Sequence, residues 1–113
     1  MDFYEFWGKG MIALERDALD GDLRELSRYF YALKDILRLR ILVILTHSGA
    51  MTVTELARAL RVSQPLVSFH LRPLRNVGLV TVRREGREVR CSADLEEVRR
   101  RHEMFIALLE AEP

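Results

Sequence analysis

Cysteine is almost missing from this 113-residue chain: Cys91 stands alone. One thiol rules out an intrachain disulfide, a CxxC redox pair and a cysteine-rich zinc knuckle. It fits a reduced, cytoplasmic compartment best. Long apolar runs are missing as well. Stretches such as Ile41 to Leu45 fall far short of the ~20 residues that span a bilayer, so no membrane partner is expected. The first residues, MDFYEFWGKG, are acidic and aromatic, unlike a signal peptide. There is no repeat, no low-complexity segment, no P-loop and no GxGxxG fingerprint. Length allows one domain and leaves no room for a second, catalytic one.

What is present is ordinary in total and uneven in arrangement. Hydrophobic residues make up 49% and charged residues 31%, as in a folded soluble domain, and the net charge is +1. From Met1 to Asp22, six acidic residues face only Lys9 and Arg16; from Arg58 to Arg90, eight arginines face only Glu85 and Glu88. One end repels polyanions and the middle attracts them. The basic residues are nearly all arginine, which suits bidentate contacts to phosphate or guanine better than lysine does.

Periodicity supplies the elements. A helix is expected over Asp2 to Asp17, with Phe3, Phe6, Trp7, Gly10 and Leu14 on one stripe. Asp20-Gly21-Asp22 reads as a breaker. Leu23, Leu26, Phe30, Leu33 and Leu37 form the next stripe and continue in phase through Ile41, Ile44 and Leu45. That is one long helix, or two with a break near Lys34-Asp35. Ser48-Gly49-Ala50 is a loop. Thr52 to Glu55 is a capping box, opening a helix that buries Leu56, Ala57 and Leu60 and stops near Arg61. Ser63 is the next N-cap, with Gln64-Pro65 in the first turn, where proline is tolerated. A short helix, a three-residue turn and a second helix are the sequence form of a helix-turn-helix.

At ~100° per residue, the second helix turns Val67, Leu71 and Leu74 to the core and Gln64, Ser68, Phe69 and Arg72 outward, with Arg75 nearer the edge. Pro73 should kink it, and Gly78 should end it. Leu79 to Arg84 and Arg87 to Ser92 alternate about a turn at Glu85-Gly86, a hairpin with arginines at its tip. A last helix is expected from about Ala93 to Ala111, capped by Ser92 or Asp94. Its stripe is Leu95, Val98, His102, Phe105, Ile106 and Leu109.

Helix, helix, helix-turn-helix, hairpin, helix is the order of a winged helix-turn-helix, a mainly α fold with a small β-hairpin wing. Ala32, Leu33, Asp35, Arg38, Ile41 and Leu42 stand ahead of the helix-turn-helix. They are followed by Glu55, Leu56 and Ala57, then by Ser63, Gln64, Val67, Ser68, His70, Leu71 and Leu74, then by Gly78, Leu79 and Val80. In this pattern the chain resembles the ArsR/SmtB family of bacterial repressors over roughly residues 32–92. Ile36 and Leu37 depart from it, and so does Pro73. The family's metal boxes are missing: no cysteines stand in the Glu55–Leu60 helix, and the final helix offers only Asp94, His102 and Glu103 at unsuitable spacing.

The resemblance implies a homodimeric regulator of transcription, a repressor that reads a palindromic operator in double-stranded DNA, and not an enzyme. Residues 1–31 would form dimerising helices, 32–92 the winged-helix core (helix-turn-helix about 52–77, wing about 79–92) and 93–113 a last dimerising helix. The recognition helix, about Ser63 to Val77, would enter the major groove. Ser63 and the helix N-terminus would hold a phosphate. Gln64 and Ser68 would reach base edges and Arg72 base or phosphate, and Arg75 would also contact the DNA. Arg83, Arg84 and Arg87 of the wing would meet the backbone or the minor groove. Phe3, Phe6, Trp7 and Leu14 would pair across the dimer with Leu95, Val98, His102, Phe105, Ile106 and Leu109.

Several residues carry blander readings as well. Phe69 either touches a thymine methyl or covers local surface. His70 either bonds a phosphate or serves the core. His47 is a surface or capping residue, and His102 an interface histidine before it is a sensor. Tyr29, Phe30 and Tyr31 fill core or interface in preference to lining a ligand cavity. Cys91 is a small buried hydrophobe. No metal and no cofactor is expected, and the effector is unknown. Ser63, Ser68 and His70 have no carboxylate placed to build a triad. Two other classes share the element order: an interaction module that never touches DNA, and the dimerisation part of a larger enzyme such as a methyltransferase. The basic middle segment speaks against the first, and Met1 with a complete final helix against the second.

Overall fold

The computed structural model describes residues 13–111. Their order is α1 (Ala13–Leu33), α2 (Ile36–Ser48), β1 (Met51–Thr52), α3 (Val53–Leu60), α4 (Gln64–Asn76), β2 (Val80–Glu85), β3 (Glu88–Ala93) and α5 (Leu95–Glu110). Most of the helix expected at Asp2 to Asp17, with Phe3, Phe6 and Trp7, lies outside the described residues, and so does the side chain of Leu14.

Asp20-Gly21-Asp22 does not break the chain. α1 runs through it unbroken for 21 residues, and Gly21 does not take a positive φ. One interior glycine costs about 1 kcal/mol of helix propensity relative to alanine. Helix propagating from both sides, with Leu26, Tyr29 and Ala32 buried further along, outweighs that. A Cβ at Gly21 would meet nothing within 4 Å. Gly21→Ala should therefore raise stability by roughly 0.5–1 kcal/mol, and a thermal midpoint unchanged or lowered in circular dichroism would contradict it.

The break falls instead at Lys34-Asp35. Asp35 takes an extended conformation, and its carboxylate accepts the N–H groups of Leu37 at 2.8 Å and Arg38 at 3.3 Å. An N-cap restarts the helix in a new direction. Leu26, Tyr29 and Ala32 of α1 then share one core with Ile41 and Leu45 of α2, Leu56 and Ala57 of α3, and Val67, Leu71 and Leu74 of α4.

The hairpin closes that core from below with Leu79, Val80 and Cys91. Pairing of Val80 with Ala93 and of Val82 with Cys91 puts the apolar residues on one face, as alternation requires. The turn is Gly86-Arg87, one residue later than expected, because Glu85 pairs with Glu88. Gly86 supplies the positive φ (62°) that a two-residue loop needs. Periodicity gave no sign of β1, two residues long, which pairs antiparallel with β3 and makes the order β1-β3-β2. Asp94, rather than Ser92, caps α5 by accepting the Glu97 N–H at 3.0 Å.

Candidate nucleic-acid interface

The helix-turn-helix is built by its caps. Thr52 Oγ1 accepts the Glu55 N–H at 3.0 Å and donates to the Glu55 carboxylate at 3.1 Å. α3 ends at Arg61, which takes a left-handed conformation (φ 58°) and turns the chain through Val62 to Ser63. Ser63 Oγ then accepts the Leu66 N–H at 3.3 Å and starts α4. α4 runs on through Pro73.

α4 presents two faces. Val67, Leu71 and Leu74 are buried, while Gln64, Ser68, Phe69, Arg72 and Arg75 are exposed. Phe69 is 62% exposed, and its ring meets His70 edge-on at 5.2 Å. One cleft of about 540 Å³ brings Gln64 and Ser68 together with Arg58 of α3 and Arg87 of the wing tip. Glu55 and Glu88 line it too. A smaller cleft beside it joins Ser68, Arg72 and Arg75 to Val82 and Val89 of the hairpin. Arg83, Arg84 and Arg87 are exposed, and among the described residues they make no ion pair. Arg90 is tied to Glu85 at 3.0 Å and Glu88 at 3.5 Å. Strand alternation puts Arg84 on the face of Val82 and turns Arg83 to the opposite face.

His70 departs from its neighbours. It is only 9% exposed, and its Nδ1 accepts the Arg38 Nε–H at 3.2 Å. Arg38 is itself buried and donates through Nη1 to the Tyr31 carbonyl at 3.1 Å. The geometry assigns His70 to a strut between α4, α2 and the end of α1, not to the exposed face. Burial works against ionisation of the neighbouring Asp35. The Leu37 and Arg38 N–H groups, with the charge of Arg38, outweigh it and hold the carboxyl below its usual range. Burial pushes the Cys91 thiol up, against a weaker pull from Arg75, so a reactive thiolate is disfavoured there.

A second strut joins the last helix to the recognition helix. Arg101 Nε donates to Glu97 at 2.9 Å, and Nη2 donates to the carbonyl of Val77, the C-cap of α4, also at 2.9 Å. Arg100 bridges Glu97 and Glu25 of α1, both at 2.8 Å. The Arg100 hydrogen bond, together with the nearby Arg101, holds the carboxyls of Glu97 and Glu25 below their ordinary 4.5. A depressed carboxyl stabilises the fold fully above its unfolded value and loses that contribution as pH falls through the folded one. Glu97→Gln should cost roughly 1–3 kcal/mol near pH 7, as charge-assisted hydrogen bonds do. The gap to wild type should close below about pH 4.5. A gap independent of pH in urea melts would refute this.

Of the outward stripe on α5, Val98 and Phe105 turn out to serve the protomer's own packing. The Phe105 ring stands edge-on to Phe30 at 5.1 Å. His102 is exposed and meets Tyr29 and Phe30 edge-on at 5.4 Å and 6.2 Å. Leu95, Ile106 (49% exposed) and Leu109 (65% exposed) stand outward. Among the described residues no three His, Cys, Asp or Glu side chains are grouped to hold a metal ion, and no helix is long and apolar enough to cross a membrane.

A helix-turn-helix with a polar second helix, flanked by an arginine-tipped hairpin, defines a winged helix-turn-helix DNA-binding protein. Residues 35–82 match the family described as bacterial regulatory protein, arsR family. A cadmium resistance transcriptional regulatory protein CadC homolog from Staphylococcus aureus is 32% identical over 85 residues, 75% of this chain and 70% of that protein. An ArsR-like transcriptional regulator from Rhodococcus sp. RHA1 superposes with a TM-score of 0.71 at 32% identity, covering 78% of this chain and 82% of that one. The homodimeric winged helix-turn-helix DNA-binding domain of a possible ArsR-family regulator from Mycobacterium bovis superposes with a TM-score of 0.65 at 26% identity, covering 90% and 91%. The chain belongs to the ArsR family, whose members are DNA-binding regulators of transcription rather than enzymes.

Proposed function

We propose that the chain is a homodimeric repressor that reads a two-fold symmetric operator and blocks transcription by occupying it. The observation that carries this is the cleft joining Gln64 and Ser68 of α4 to Arg87 of the wing and Arg58 of α3. Base-reading amides and hydroxyls lie there beside cations suited to phosphate, the division of labour that sequence-specific proteins use. Ser63 with the first turn of α4 holds one phosphate. Arg72 and Arg75 extend the contact along the groove, and Arg83 and Arg84 meet the flanking backbone. Phe69, exposed at the middle of the reading face, contacts a thymine methyl. His70 supports this face from behind and leaves the set of direct contacts, while Arg58 joins it.

Two copies pair through the outward side of α5, with Leu95, His102, Ile106 and Leu109 at the seam. This sets two recognition helices about one DNA turn apart. The dimer is not metal-responsive through the family's cysteine or histidine boxes, whose residues this sequence lacks. The test is binding to a selected operator at several salt concentrations. Counterion release predicts that log K falls against log salt with a slope of magnitude about 4–8 for the doubled arginines. Affinity unchanged between low and moderate salt would sink the reading.

A further inference from the structure

A cavity of about 410 Å³ between α1 and α4 shares only Arg72 with the DNA-reading residues. Its chemistry is sorted. Ala32, Pro73 and Val77 supply apolar lining, and Ala32 and Val77 are buried. The ring of Tyr31, a residue 57% exposed, is part of the wall. Arg28 and Arg72 also line it, are exposed, and make no ion pair among the described residues. Two further cations crowd the same tyrosine: Lys34 Nζ lies 5.0 Å and Arg38 Cζ 5.5 Å from its ring centroid. The nearby carboxylate, Asp35, is committed to the N–H groups of Leu37 and Arg38. Ser27 and Asn76 add a hydroxyl and an amide to the lining.

An apolar pocket of this size, with a few convergent polar groups, is what small-molecule sites look like. An excess of unpaired guanidinium groups selects an anion and can grip a carboxylate in bidentate fashion. We infer that this cavity binds a small organic carboxylate with a flat apolar body and is the effector site of the regulator. The body lies on Pro73 and Val77 against the Tyr31 ring, and the carboxylate engages Arg28 and Arg72. Arg72 is the link to function, because the same side chain stands on the exposed face of the recognition helix. A carboxylate that holds it lowers affinity for DNA, since ligand and phosphate compete for one guanidinium, and a ligand preferred by the DNA-free state must weaken the complex by the same factor. The inference rests on the DNA-binding reading for this coupling, while the site itself does not.

The experiment uses the full chain with 2-naphthoate as probe and neutral 2-naphthalenemethanol as control. Naphthoate should saturate at one per protomer and shift the amide resonances of Ser27, Tyr31, Asn76 and Val77. The alcohol should bind at least about tenfold more weakly, the worth of a charge-assisted contact. Arg28→Gln should lower naphthoate affinity by a similar factor and leave ligand-free DNA binding unchanged. Saturating naphthoate should reduce operator affinity about tenfold, within the usual range of allosteric coupling. No saturable binding up to about 10 mM, with operator binding intact, overturns the site and leaves the repressor reading standing. So does equal affinity for the alcohol. Naphthoate bound at these residues with operator affinity unaltered overturns the effector role. Arg28→Gln that weakens operator binding and flattens its salt slope makes Arg28 a phosphate contact instead. A chain that binds naphthoate as described but no DNA refutes the repressor reading and with it the effector role.

Discussion

Alanine at Gln64 and Ser68 is expected to cost roughly 1–3 kcal/mol on the cognate operator and to blur sequence preference, because these two side chains would hydrogen-bond base edges. Alanine at Arg84 and Arg87 is expected to weaken cognate and random DNA alike and to lower the salt slope, because phosphate contacts carry no sequence. The contrast is the informative quantity. Both pairs are exposed, so neither change disturbs the core. Gln64 and Ser68 share their cleft with Arg87, so a loss confined to orientation of the wing would show in Arg87 and not in Arg84. Fluorescence anisotropy with operator and scrambled duplexes measures each term. Uniform losses from both pairs would remove Gln64 and Ser68 from base reading.

Ile106→Glu combined with Leu109→Glu is expected to separate the dimer and reduce operator binding by orders of magnitude while the protomer stays folded. A carboxylate forced into an apolar seam costs several kcal/mol, and two protomers that bind independently lose the gain of joined half-sites. These two residues are the right choice because they stand outward. Phe105→Glu, which the sequence alone suggests, would also break the contact with Phe30 and confuse folding with assembly. Sedimentation at micromolar concentration together with far-ultraviolet circular dichroism decides it. A wild-type monomer would refute the seam, and so would a double variant that remains dimeric.

Much of this architecture could be read from spacing. The capping box at Thr52, the N-cap at Ser63 and the three apolar positions Val67, Leu71 and Leu74 locate the helix-turn-helix because each is a local signal. The misses have two physical causes. Local propensity marks Gly21 as a stop, whereas a long helix with a buried flank absorbs a single glycine. β1 is too short for a period of two to register. The buried polar residues are the instructive case. Arg38 precedes Ile41 and Leu45 at helical spacing, His70 lies between Val67 and Leu74, and Arg101 lies between Val98 and Phe105. Each occupies a core-phase position, so burial could have been inferred from phase alone. Which long-range groups they bond there could not, since His70 lies 32 residues from Arg38 and Val77 24 residues from Arg101. Arg58 was visible in the charge run, but only the folded cleft puts it beside Gln64.

The two-residue strand β1 has a consequence for how the molecule survives at high concentration. By pairing with β3 it closes that strand's other side, so among the described residues the sheet's edges are the two-residue β1 and the six-residue β2, and β2 is the longer one. An open side invites the same strand of another copy, and charge on that strand is the common defence. β2 carries Arg83 and Arg84 in succession and then Glu85. Antiparallel pairing of two such strands would crowd four guanidinium groups together. These arginines, proposed above as phosphate contacts, thus also keep the wings of neighbouring molecules apart, so variants that exchange them for apolar residues are expected to lose solubility.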